Sequence, residues 1–120
     1  KAVAGNGIVL LVEDEDALRA LLRRSLVNRG YQVIEAADGD EAITQFRQLR
    51  RPPDLLLTDV MLPRRNGCAL AEELQRLAPA MKVLYMSGYG DNTPAGASRL
   101  EKPFSPAKLA VAVKELLDAR

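Results

Sequence analysis

The sequence predicts an α/β fold, a doubly wound parallel sheet of five strands with helices on both faces. Three features predict it: short apolar runs that do not alternate with polar residues, segments of helical period between them, and Gly or Pro at the junctions. Ile8-Val9-Leu10-Leu11-Val12 is the first such run, suited to a strand buried on both faces. From Asp16 onward Leu18, Leu21, Leu22, Ser25 and Leu26 recur at helical spacing with arginines on other faces, and Gly30 is placed as the stop. Val33-Ile34 is the second strand. After Ala37-Asp38-Gly39, the positions Ala42, Ile43, Phe46 and Leu49 repeat the helical pattern until Arg50-Arg51-Pro52-Pro53 ends it.

Leu55-Leu56-Leu57-Thr58 is the third run, followed by a loop through Pro63 and Gly67 and a helix carrying Leu70, Leu74 and Leu77, closed by Pro79. Val83-Leu84-Tyr85-Met86 is the fourth strand and Leu100 the centre of a short fifth. Ser105-Pro106 supplies a cap and a first-turn proline for a last helix buried through Leu109, Ala112, Val113, Leu116 and Leu117. The connection from Ser87 to Lys102 is rich in helix breakers, Gly90-Asp91-Asn92-Thr93-Pro94-Ala95-Gly96-Ala97, and is near the minimum for a parallel crossover. A loop or a single turn is expected there, with a helix shortened or missing.

Composition bounds the function. The chain has 120 residues, 48% apolar and 28% charged, with a formal net charge of +1, which fits one folded domain. There is no His, which excludes imidazole ligation of zinc or haem, Ser-His-Asp chemistry and a phosphohistidine on this segment. Near-neutral charge argues against nucleic-acid binding, and no apolar run is long enough to span a bilayer. The single cysteine, Cys68, has no internal partner, so a cytoplasmic setting is expected. Residues 1–7 lack an initiator Met and are small, so they are expected to be a linker from a longer polypeptide, with the domain at 8–120.

Sites in open parallel sheets form at the carboxyl ends of the strands. Glu13-Asp14 follows the first strand, Asp59 the third, Ser87 the fourth and Lys102 the fifth. Three carboxylates brought together repel unless a cation compensates them, and a hard ion with oxygen ligands, most simply Mg²⁺, does so. Lys102 adds a compact positive charge and Ser87 a hydroxyl, partners for the oxygens of a phosphoryl group. The chemistry implied is phosphoryl transfer to a carboxylate. Taken singly, each acid is more simply a solvated or helix-capping group and Ser87 and Lys102 ordinary surface residues; only their joint placement favours a site. The arginines at 47, 50, 51, 64 and 65 are interspersed with acids and fit a solvated face, and Cys68 is assigned no function.

Val12-Glu13-Asp14-Glu15, Thr58-Asp59-Val60-Met61-Leu62-Pro63 through Gly67, Met86-Ser87-Gly88-Tyr89 and Lys102-Pro103-Phe104 together resemble the receiver domains of two-component response regulators. The resemblance implies a flavodoxin-like receiver fold with strand order 2-1-3-4-5, and Asp59 as phosphoacceptor. It implies Mg²⁺ on Glu13, Asp14, Asp59 and the main-chain carbonyl of Met61, Ser87 as the switch hydroxyl and Lys102 as the lysine that pairs with the phosphoryl group. The Lys102-Pro103 bond is expected cis. A histidine kinase or histidine phosphotransfer domain is the implied donor, and Leu84 to Tyr89 is similar to receivers at the carboxyl end of hybrid sensor kinases. No turnover of an external substrate is expected of the domain. Two departures stand out: Arg99 occupies the place of the family's switch aromatic, and the fourth helix is curtailed. A phosphorylation-independent interaction module is therefore the alternative, followed by a small aspartate-nucleophile phosphatase.

Overall fold

Five strands, β1 (Ile8–Val12), β2 (Gln32–Ala36), β3 (Leu55–Asp59), β4 (Lys82–Ser87) and β5 (Ser98–Glu101), form one parallel sheet in the order β2-β1-β3-β4-β5. The helices are α1 (Asp16–Val27), α2 (Gly39–Gln48), α3 (Gly67–Leu77) and α4 (Pro106–Asp118). This computed structural model describes residues 7–119, so the expected linker lies, apart from Gly7, outside the described residues. None of the described helices is long and apolar enough to cross a membrane.

Strand period and burial together build two cores. Every residue of β1 and β3 is buried, because both strands are flanked by others and covered on both faces. Val9, Leu11, Leu55, Leu57, Leu84 and Met86 face one way, against Leu22 and Leu26 of α1 and Leu109 and Val113 of α4. Leu10, Val12, Leu56 and Tyr85 face the other way, against Ala42 of α2 and Leu70 and Leu74 of α3. Complete burial of one such leucine contributes about 1.5–3 kcal/mol. Leu21 and Leu77, counted above on the helical stripes, are exposed. Leu21 is adjacent to buried Leu22, about 100° around the helix, and Leu77 is the last residue of α3.

β2 runs past Val33-Ile34 in both directions. Its pairing with β1, from Ile8↔Gln32 to Val12↔Ala36, recruits Gln32 and Glu35 despite their polarity, because the ladder rather than the side chains sets strand length here. Three of the four described helices start on a side-chain cap, and α1 begins after Glu15 without one. Asp38 accepts from the Glu41 N–H and Ser105 from the Lys108 N–H. Asn66 accepts from the N–H groups of Cys68 and Ala69, at 2.7 and 3.4 Å. Asn66→Ala is expected to cost about 1 kcal/mol in urea unfolding, with most of it restored by Asp at the same position.

The connection between β4 and β5 contains no helix. Its bends are a turn from Gly88 to Asp91 and another in which Ala97 N–H donates to the Pro94 carbonyl at 3.0 Å, with Gly90 and Gly96 at positive φ (85° and 79°). The face of β4 that a helix would cover instead borders a groove of about 760 Å³, lined in part by Gln75, Val83, Tyr85, Pro94 and Ala97.

Candidate functional site

Asp59 ends β3, and the chain must turn at once to leave the sheet. Val60 N–H donates to the Met86 carbonyl at 3.1 Å, extending the ladder one residue, and Gly67 N–H donates to the Val60 carbonyl at 2.8 Å, folding α3 back onto the strand end. The approach is so close that a β-carbon on Gly67 would overlap the main-chain oxygen of Asp59. Thr58 Oγ1 donates to that same oxygen at 3.0 Å. The phosphoacceptor candidate is thereby held on a rigid support, and the residue is only 4% exposed.

Glu13, one residue past β1, is 1% exposed. Its main-chain N–H continues the ladder to the Ala36 carbonyl at 3.1 Å, and its carboxylate accepts from the Glu15 N–H at 3.0 Å, just ahead of α1. Lys102 reaches both acids from beyond β5: Nζ lies 3.0 Å from Glu13 Oε1 and 2.7 Å from Asp59 Oδ1. Its own N–H donates to the Ser87 carbonyl at 2.8 Å, fixing the lysine to the end of β4. The Lys102–Pro103 peptide is cis. Asp14 is exposed, yet one of its carboxylate oxygens lies within 4.8 Å of oxygens of Glu13 and Asp59.

These acids, with Lys102, line a cleft of about 300 Å³ at the carboxyl edge of the sheet, and Met61 stands at its side. Ser87 is buried at the end of β4, but the residue that lines the cleft there is its neighbour Gly88. Arg99 is exposed on β5, opposite Tyr85 in register, and takes no part in the cleft. Asp91 lines it and carried no role in the sequence reading. The signal available was only its place four residues after a strand-end serine. Cys68 is not in the cleft either, and burial pushes its thiol up, away from a reactive thiolate.

The model of one protein family, the response regulator receiver domain, matches residues 9–114. The chain belongs to that family. Over 97% of its length this receiver is 42% identical to the sensor kinase CckA of Brucella abortus, of which it spans 13%. It is 29% identical to the chemotaxis protein CheY of Thermotoga maritima, covering 90% of this chain and 95% of that one. Among solved structures, the receiver domain from the hybrid histidine kinase CckA superposes with a TM-score of 0.81 at 39% identity, over 93% of this chain and all of that one. A receiver domain protein from Clostridium thermocellum, at 24% identity, shares the fold with a TM-score of 0.85. The protein is thus a receiver domain of two-component signalling systems, with the flavodoxin-like sheet order.

Electrostatics in the receiver's cleft are unbalanced. Burial pushes the Asp59 carboxyl up to about 8, the adjoining Glu13 adds to the rise and Lys102 opposes it. Burial pushes Glu13 up too, but hydrogen bonds from Asp59, the Glu15 N–H and Lys102 outweigh it and hold Glu13 below its ordinary value. Of the two buried acids, Asp59 is therefore the one whose charged form burial disfavours, and Glu13 the one whose charged form its partners favour. Among the described residues paired with these acids, Lys102 is the cation, facing three clustered carboxylates. An all-oxygen donor set short of positive charge fits a hard divalent ion.

Proposed function

We propose that this receiver accepts a phosphoryl group from a phosphohistidine onto Asp59 and relays it as a change of surface. The observation that carries the reading is the Lys102 ammonium held between Asp59 and Glu13 at 2.7 and 3.0 Å, at the carboxyl end of three strands. In the step itself an Asp59 carboxylate oxygen attacks phosphorus, the P–O bond forms, the P–N bond to the donor imidazole breaks, and that nitrogen leaves with the electron pair. The rigid strand end positions the nucleophile, and burial limits access of competing water. Lys102 moves from pairing two carboxylates to pairing a phosphoryl oxygen, a charge-assisted bond. Ser87, buried next to the cleft, supplies a hydroxyl for another oxygen once β4 and its connection adjust.

Glu13, Asp14, Asp59 and the Met61 carbonyl would hold Mg²⁺, which when bound neutralises the carboxylates and the phosphoryl oxygens. The donor must come from another chain or domain, because this sequence has no His. A histidine kinase or a histidine phosphotransfer domain is that donor, and a cytoplasmic setting follows from kinase-made phosphohistidine and the lone thiol. Likeness to the receiver domain of the hybrid histidine kinase CckA supports a place within a hybrid kinase.

Intact mass after incubation with acetyl phosphate tests this. One phosphoryl adduct is expected in Mg²⁺, none after chelation, and none on Asp59→Asn. An unmodified native chain under every condition would reject the reading and favour a phosphorylation-independent interaction module, which the helix-free connection and Arg99 also suit.

A further inference from the structure

Resting on the phosphoacceptor reading, the structure assigns a second role at the cleft: we propose that Asp91 is an internal latch, whose carboxylate holds the Gly88 N–H until a phosphoryl group on Asp59 displaces it. Gly88 N–H donates to Asp91 Oδ2 at 2.7 Å, and Asp91 N–H returns a bond to the Gly88 carbonyl at 3.2 Å. Both residues line the same cleft as Asp59 and Lys102. The Gly88 amide therefore already binds an anion, and that anion is part of the protein.

A phosphoryl group brings three oxygens that need donors, while Lys102 is a single ammonium shared by two carboxylates. The Gly88 N–H is a preorganised main-chain donor beside it, tied to the lysine through Ser87, whose carbonyl accepts the Lys102 N–H at 2.8 Å. Asp91 and a phosphoryl group are both anions, so in one small cleft they repel as well as compete for that donor. Displacement opens the turn from Gly88 to Asp91. No helix follows to keep the next residues in place, so release passes directly along 90–97 to the groove beside Val83 and Tyr85. Asp91 thus links phosphorylation to the face left without a helix.

The test compares the native chain with Asp91→Ala and Asp91→Asn, using acetyl phosphate and Mg²⁺. Adduct formation should be roughly two- to tenfold faster in Asp91→Ala, the span set by losing one such competing hydrogen bond. Asp91→Asn, which keeps an acceptor without the charge, should fall between. In the native chain the Gly88 amide resonance should shift on phosphorylation, and hydrogen exchange over 90–97 should rise toward the level Asp91→Ala shows without phosphate. Native rates in both variants, or an unmoved Gly88 resonance in a chain whose adduct is seen by mass, would overturn the latch alone. Equal acceleration in both variants would assign the effect to charge repulsion and overturn it too. No adduct on any of the three chains would remove the phosphoacceptor reading, and the latch with it.

Discussion

Gly67→Ala is expected to destabilise the domain by about 3 kcal/mol or more, at the top of the range for overpacking, and to abolish stable presentation of Asp59. The added β-carbon would overlap the Asp59 carbonyl oxygen and stand 2.9 Å from the attached carbon and 3.2 Å from Val60 Cα. All three atoms are main chain, so no side-chain rotation relieves the contact. The backbone at the end of β3 cannot retreat either, since the Thr58 hydroxyl and the Gly67 N–H bind it from two sides and Asp59 pairs with Met86 across the ladder. α3 must then shift away from Leu56 and Leu10, which opens the core that Leu70 and Leu74 fill. Urea unfolding measures the loss of stability. A change below 1 kcal/mol would mean that the strand end is far more compliant than its hydrogen bonds imply.

Lys102→Ala should rank next. It leaves Glu13 and Asp59, both buried, without their shared cation; breaking a buried ion pair from one side costs about 3–5 kcal/mol. Millimolar Mg²⁺ should recover part of the stability, because an ion that binds only the folded chain adds to it by mass action. Phosphorylation by acetyl phosphate should slow at least tenfold, about 1.4 kcal/mol of lost transition-state stabilisation. Unfolding in urea with and without Mg²⁺, together with intact-mass time courses, separates the two effects. Native stability and native rate in this variant would place the compensating charge elsewhere.

In the sequence Gly67 stands at the end of a loop and closes a segment that resembles receivers, and neither fact says why a glycine is needed there. Close approach between Gly67 and Asp59 depends on how α3 returns across β3, a long-range fact with no local pattern. The buried strands were legible for the opposite reason. Leu55 to Thr58 and Ile8 to Val12 lie between neighbours and under helices, so their composition records burial residue by residue. Edge strand β2 records it only in part, and its ends were missed. Helix stripes overstated burial at Leu21 and Leu77, since periodicity gives the direction of a face but not its width.

At the cleft, the strand-end rule located Glu13, Asp14, Asp59 and Lys102, which the fold brings together. It said nothing of Asp91, whose bond to Gly88 depends on a turn that the glycines allow but do not announce. Ser87 was expected in the cleft and is buried next to it, because β4 runs one residue further than its apolar run and carries the serine into the ladder opposite Glu101.

β5 is the last strand in the sheet order, so its outer edge has no strand partner. β5 is four residues long, and among them Arg99 and Glu101 are exposed and charged. A short strand bearing both signs of charge is a poor template for another chain's backbone, which is how proteins keep a free sheet edge from recruiting copies of themselves. Arg99 sets a guanidinium on this edge strand, opposite Tyr85 in the ladder, where an apolar side chain would make the edge a better template.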